Sequence, residues 1–223
     1  MIEGKHLTKA FEKQIVLQNV SFTIPDDTVV GLYGASGIGK STLANLLCGT
    51  LRPDAGEILL DGVPLVSPTL PYDRNRGLAI QMVFQQPHAA LDPSQKIGAG
   101  FRELIRVHRF ASSKAEEAAL IERLFASVGL TPDLGEHLPH QISGGEAQRI
   151  CIARCLLFQP RLLILDEATS MLDMSTQANV LGLVRRAMQS IHGSILLITH
   201  DRALVEHLSD RIYCFDKQQL KEE

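Results

Sequence analysis

The 223-residue chain contains no tryptophan, and aromatic residues make up only 5% of it. Proteins that grip single-stranded nucleic acid stack its bases on aromatic side chains, so little here suits that task. Nor is there a basic excess. The chain has 22 Lys and Arg against 25 Asp and Glu, a net charge of -3, and nucleic-acid binders usually carry a basic face. The densest basic set, Arg102, Arg106 and Arg109, is interleaved with apolar residues at helical spacing. No nucleic-acid partner is expected.

Long apolar runs are also missing. The longest, such as Ile195-Leu196-Leu197-Ile198, fall far short of the ~20 residues that span a bilayer. Met1 to Phe11 is mixed polar, unlike a basic-then-apolar leader. These features predict a cytoplasmic chain that reaches any membrane through partners. Cysteine is sparse: Cys48, Cys151, Cys155 and Cys214 form no C-x-x-C pair, which disfavours a zinc ribbon or redox motif. All four are expected as buried, reduced thiols; a metal pair at Cys151 and Cys155, four apart in a helix, is the lesser alternative. With 45% apolar and 21% charged residues, the chain is not a disordered tail. Its length suits one large domain, or one core with a modest insert.

What is present alternates strands and helices. Val16 to Ile24 alternates apolar and polar residues, as a half-exposed antiparallel strand does. Val29 to Tyr33 is continuously apolar, as in a strand covered on both faces. A helix is expected over Ser41 to Leu51, then strands over Gly56 to Leu60 and Leu78 to Phe84, with Asp61-Gly62 as a turn. From Phe101 to Val128 the pattern is helical: Phe101, Leu104, Ile105 and His108, then Ala118, Ile121, Leu124, Phe125 and Val128, form one core-facing stripe. Strand texture resumes at Leu162 to Leu165 and Ile195 to Thr199. The expectation is a mostly parallel α/β core, residues 1–87 and 159–223, interrupted by a helical insert at 88–158. No internal repeat or low-complexity tract is visible.

Gly34-Ala35-Ser36-Gly37-Ile38-Gly39-Lys40-Ser41 fits G-x-x-x-x-G-K-[ST] at every fixed position. A buried strand precedes it and an apolar helix follows. Glycines let backbone N–H groups converge on phosphate oxygens, and the helix start adds its positive dipole end. Lys40 supplies a charge for the β- and γ-phosphates, the Ser41 hydroxyl can ligate Mg²⁺, and Thr42 is a further phosphate contact. Leu162 to Leu165 runs into Asp166 and Glu167, at the strand end where α/β sheets bind ligands. Asp166 is placed to hold Mg²⁺, directly or through water, and Glu167 to accept a proton from an attacking water. Alone, the two carboxylates could simply solubilise a strand end; beside a phosphate loop the catalytic reading prevails. His200 follows a second core strand at the same end. A lone histidine is more often structural, but this placement favours a γ-phosphate contact.

Ile142-Ser143-Gly144-Gly145-Glu146 precedes a helix carrying Ile150, Ala153, Arg154 and Leu157. Ser143 with Glu146 has capping-box spacing, which a well-capped helix alone would explain. Two glycines after the cap also bare the helix N-terminus, as an anion site requires. The chain thus has two glycine-lined helix starts and one phosphate-loop lysine. A composite site, one chain's phosphate loop meeting another's serine-glycine turn, accounts for both.

Together these motifs resemble the nucleotide-binding subunit of an ABC transporter over nearly the whole chain, in family order. Gly34 to Ser41 is similar to its Walker A loop, Ile142 to Glu146 to its LSGGQ signature, and Leu162 to Glu167 to its Walker B strand. Ser170-Met171-Leu172-Asp173 resembles the D-loop, His200 the switch histidine, and Gln85, after Met82-Val83-Phe84, the Q-loop glutamine that joins Ser41 and Asp166 at Mg²⁺. Phe11 lies where the family places an aromatic on adenine. The resemblance implies a P-loop NTPase (RecA-like) core with an antiparallel β subdomain and an inserted α-helical subdomain. It implies a head-to-tail pair of cassettes sandwiching two ATP molecules, with Ser143, Gly144, Gly145 and Glu146 acting on the partner's ATP. It implies that the Gln85 loop contacts a permease and that hydrolysis drives alternating access there. The family pattern has leucine at Ile142, glutamine at Glu146, alanine at Met171 and more often tyrosine at Phe11.

Val83 to Pro93 (VFQQPHAALDP) resembles the V-F-Q-D-P-x-x-S-L-N-P stretch of the peptide/nickel importer subfamily, departing at Gln86 and Asp92. That resemblance implies the shorter, second ATPase of a system with two permeases and an extracytoplasmic solute-binding protein, peripheral on the inner face of the cell membrane. Without the C-terminal extension of many peptide-transport ATPases, nickel or a metal chelate is favoured over peptide as cargo. Whether the cassette pairs with itself or with a different ATPase stays open. A non-transport assembly is the alternative. The short span from Lys40 to Ser143 lacks room for the long coiled coil of repair-type members, and translation factors carry two cassettes per chain. A phosphonate-degradation complex is the harder rival to separate. A regulatory binder that holds ATP without hydrolysis fits poorly with Glu167 and His200 both in place.

Overall fold

The computed structural model describes residues 1–12, 14–71, 73–167 and 174–223. In chain order its elements are β1 (Ile2–Phe11), β2 (Gln14–Ile24), β3 (Val29–Tyr33), α1 (Lys40–Leu47), β4 (Ala55–Leu60), β5 (Val63–Val66), α2 (Arg74–Gly77), β6 (Ile80–Val83), α3 (Ile97–His108), α4 (Lys114–Ser127), α5 (Gly144–Leu156), β7 (Leu162–Asp166), α6 (Met174–Gln189), β8 (Ser194–Thr199), α7 (Arg202–Leu208), β9 (Arg211–Asp216) and β10 (Gln219–Glu222). Short 3₁₀ turns occupy Pro87–Ala90, Pro132–Glu136 and Pro139–Gln141. Two compact units emerge: Met1–Met82 with Gln159–Glu167 and Met188–Glu223, and Val83–Phe158 with Ala168–Ala187.

The first unit holds two sheets. One is antiparallel, in the order β2-β1-β4-β5. Its β2 alternates between buried Leu17, Val20, Phe22 and Ile24 and exposed neighbours, as one covered face dictates. The other runs β10-β9-β3-β8-β7-β6. Its centre is parallel, β9 with β3, β3 with β8, and β8 with β7. Of these, β3, β7 and β8 are buried along nearly their whole length. Side chains of both sheets share a core with Leu43, Ala44, Leu46 and Leu47 of α1.

The parallel register positions the site. Tyr33 lies opposite Thr199, and Asp166 opposite Ile198. The chain therefore leaves β3, β7 and β8 at one edge, with Gly34, Glu167 and His200 as the next residues.

The second unit is helical. Phe101 of α3 meets Phe125 of α4 edge-to-face, ring centroids 5.2 Å apart, an aromatic geometry favoured by ring quadrupoles. The stripe predicted over Phe101 to Val128 is in fact two helices. Arg109 closes α3 in the left-handed conformation (φ 57°), and the Ser113 hydroxyl accepts from the Glu116 N–H to start α4. Ala118 is exposed, contrary to the stripe. Glu117 is buried instead, its carboxylate held by Arg106 through two 2.8 Å bonds. Cys151 and Cys155 are buried and reduced, but Cys48 and Cys214 are only half-buried. Among the described residues no helix is long and apolar enough to cross a membrane.

Candidate functional site

The loop from Gly34 to Gly39 is shaped by glycines that cannot be replaced for free. A Cβ on Gly34 would stand 2.8 Å from the Phe215 carbonyl oxygen. Gly39, the residue before α1, has φ 124° and would place a Cβ 2.8 Å from Val16 Cγ1. Both the conformation and the space exclude a side chain there. Because Gly39 has none, α1 begins without a side-chain cap, and its first N–H groups lack intrahelical acceptors. Lys40 is only 5% exposed. Its ammonium donates to the Gly34 and Ala35 carbonyls at 2.8 and 3.0 Å, and so lies over the loop. Ala35, Ser36, Gly37 and Ser41 are exposed; Ile38 and Thr42 are half-buried.

Asp166 faces this loop from the end of β7. Burial pushes its carboxyl above the usual range, against a hydrogen bond from the Ser41 hydroxyl; Glu167 raises it further and Lys40 opposes. The hydroxyl and the carboxylate are both oxygen donors, which suits a hard divalent cation. Cys48, at the end of α1, has its thiol pushed up to about 12 by burial and by Asp166, so it stays protonated.

Glu167 has φ 48°, a backbone region few non-glycine residues adopt. Its N–H donates to the Ile198 carbonyl at 2.9 Å, which holds that conformation against β8. Glu167 Oε1 lies 3.4 Å from His200 Nδ1. His200 is exposed, and the next residue, Asp201, caps α7 by accepting from the Leu204 N–H. The residues predicted at three strand ends thus form one edge: Lys40, Ser41, Asp166, Glu167 and His200. Phe11, at the end of β1, is 44% exposed, with Lys9 Nζ 5.5 Å from its ring centroid. The Lys9 ammonium thus lies over one face of a partly exposed ring.

In the second unit, Gln85 is exposed in a bend between β6 and the Pro87–Ala90 turn. Ser143 and Glu146 cap α5 reciprocally. Glu146 Oε2 accepts from the Ser143 N–H at 2.8 Å and the Ser143 hydroxyl at 2.7 Å, while Ser143 Oγ accepts from the Glu146 N–H at 3.3 Å. Asp173 and the rest of Ser170 to Asp173 lie outside the described residues.

One residue beside the site escaped the sequence reading. Tyr33, immediately before the loop, donates to Glu223 Oε1 at 2.6 Å, and the Arg202 guanidinium lies 5.3 Å from its ring centroid. Its only sequence signal was its position between a buried strand and a phosphate loop.

Residues 17–170 match the ABC transporter family. The chain belongs to that family. It is 39% identical over 219 residues to the nickel import ATP-binding protein NikE of Shigella dysenteriae, covering 98% of this chain and 80% of that protein. It is 38% identical over 196 residues to the oligopeptide transport ATP-binding protein OppF of Haemophilus influenzae, covering 88% of this chain and 59% of that protein. Among solved structures it is similar to the ATP-binding cassette MJ0796, a dimer in a post-hydrolysis state bound to ADP and Pi. That match has a TM-score of 0.84 at 28% identity, covering 100% of this chain and 98% of the other. The α/β core with its antiparallel sheet and helical unit is thus the fold of an ABC ATPase cassette.

Proposed function

We propose that this cassette hydrolyses ATP to energise an importer, through ATP-driven association of two cassettes beneath partner permeases. The observation that carries the reading is the single edge where Lys40, Ser41, Asp166, Glu167 and His200 meet. The similarity to nickel and oligopeptide import ATPases supports import. It also supports nickel, a metal chelate or a peptide as the class of cargo. The partners are a second cassette, alike or different, two permeases and, indirectly, an extracytoplasmic solute-binding protein. The chain then works on the inner face of the membrane. Residues 1–87 and 159–223 form the nucleotide-binding core in this reading, and 88–158 the subdomain that carries the signature.

In this reading the residues take the following roles. Gly34, Ala35, Ser36, Gly37, Ile38 and Gly39 offer backbone N–H groups to the phosphates, together with the uncapped start of α1. Lys40 exchanges its loop carbonyls for β- and γ-phosphate oxygens, and Thr42 adds a hydroxyl. Phe11 stacks on adenine. Ser41 and Asp166 would hold Mg²⁺, which when bound supplies charge neutralisation on the phosphates. Such an ion would draw its remaining ligands from phosphate and water. Glu167 takes a proton from the attacking water, and His200 beside it contacts the γ-phosphate. Ser143, Gly144, Gly145 and Glu146, with Asp173 of the D-loop, act across the cassette pair.

The test is the ATPase rate of the assembled complex with wild-type chain and with Glu167→Gln. Loss of a general base costs on the order of 10²–10⁴ in rate, so turnover falls at least a hundredfold while ATP binding persists. Equal rates would remove Glu167 from the base role. No wild-type turnover with partners present would leave a chain that binds ATP without hydrolysing it.

A further inference from the structure

Among the described residues nothing in the surroundings of Gly144 requires a glycine. A Cβ there would meet nothing within 4 Å, and no positive φ requires glycine. Glycine in a helix disfavours the helix relative to alanine, so the first turn of α5 leaves room for an approaching group at a cost in helix stability. The Ser143 hydroxyl proton, however, is already given to Glu146, as is the Ser143 N–H. The carboxylate is ionised there: the Ser143 N–H and hydroxyl, with Arg149 and His137 nearby, hold it below the usual carboxylate range against partial burial. A full negative charge thus occupies the start of the helix that the proposed function assigns to the partner's phosphates.

We propose that Glu146 is a built-in competitor of the partner's γ-phosphate, a positioning residue that weakens ATP-driven cassette association by occupying Ser143 and repelling the incoming anion. For Ser143 to donate to phosphate, its hydroxyl must turn away from Glu146. The carboxylate then stays within a few ångströms of the new charge. Glutamine at the same place keeps an acceptor for the Ser143 N–H and removes the repulsion. The competitor therefore sets how much ATP occupancy is needed to close the pair, without touching the phosphate loop of its own chain.

The inference rests on the two-chain site proposed above, and the experiment separates them. ATP-dependent association of the chain, alone and within the complex it purifies with, is measured in a Glu167→Gln background so that ATP is retained. Adding Glu146→Gln is expected to tighten association about three- to tenfold at low salt, the scale of one unit charge across partly screened surface. The gain shrinks at about 0.5 M salt, where the Debye length is only a few ångströms. Glu146→Asp, which keeps the charge, gives no such gain. A folded Glu146→Gln protein that associates no more tightly, or gains equally at all salt concentrations, overturns the competitor role and leaves the proposed function standing. No ATP-dependent association in either background, with ATP still bound, overturns the two-chain site itself.

Discussion

The two glycine-lined helix starts solve one electrostatic problem in opposite ways. At α1 the turn is closed: Gly34 and Gly39 are wedged against Phe215 and Val16, no side chain caps the helix, and the nearly buried Lys40 sits over the loop. At α5 the turn has room: among the described residues a Cβ on Gly144 would meet nothing within 4 Å, and Ser143 and Glu146 cap each other. In the proposed function the α1 start holds phosphate tightly, and it dispenses with a cap and has a fixed cation. The α5 start would meet phosphate only transiently there, and it keeps a cap that can be displaced. A cap contributes stability in the meantime, so the open turn does not stay unsatisfied between encounters.

Lys40→Ala should break the closed turn hardest. In the proposed function it removes the fixed charge assigned to developing phosphate charge, an effect worth about 10²–10³ in rate where single preorganised donors are deleted. ATPase activity of the assembled complex measures it. A residual rate above a tenth of wild type would mean that the backbone N–H groups and helix dipole suffice without the lysine.

The same small substitution should then act with opposite sign at the two turns. Gly39→Ala forces a Cβ against Val16 in a backbone conformation alanine resists, and should destabilise the chain by about 1–3 kcal/mol. Gly144→Ala fills open space in a helical residue and should be neutral or stabilising by up to about 1 kcal/mol, yet reduce ATP-driven association. Denaturant unfolding of both variants checks the sign. A destabilised Gly144→Ala protein would mean that the open turn has an intrachain constraint.

This asymmetry was half legible in the sequence. Fixed glycine and lysine spacing marks a phosphate loop because backbone geometry demands it, and Ser143 with Glu146 announced a cap by its three-residue offset. Neither pattern says how tightly a turn is packed, since Val16 and Phe215 reach Gly39 from distant strands. Periodicity misled where it continued across a break: Phe101 to Val128 keeps a helical beat although Arg109 turns left-handed between two helices. The cap signal at Ser113 and Glu116 was there to be read. Apolarity misled at Ala118, because the Arg106 pairing lets Glu117 take the buried position. The residues of β1, β9 and β10 carry no clear strand pattern in the sequence; half-polar strands are recognised by their neighbours, which only the sheet supplies. The D-loop resemblance, Ser170 to Asp173, falls outside the described residues.

The smallest effect sharpens the open turn. The Glu146 carboxylate is held below its ordinary pKa, chiefly by the Ser143 N–H and then by the Ser143 hydroxyl. A depressed carboxylate contributes stability that is complete above its unfolded value, about 4.3. That stability is lost as pH falls through the folded value. Because Glu146 is partly exposed, its charge should contribute no more than about 1 kcal/mol at a helix start. Wild type should therefore be slightly more stable than Glu146→Gln at pH 7, and the difference should shrink as pH falls below about 4.3 and vanish only once pH is below the lowered folded value. Denaturant midpoints of the two proteins from pH 7 to about pH 2.5 measure it. A gap that persists at the acid end would mean that packing of the side chain, rather than its charge, holds the cap, and the repulsion expected of Glu146 toward a partner's phosphate would lose its physical basis.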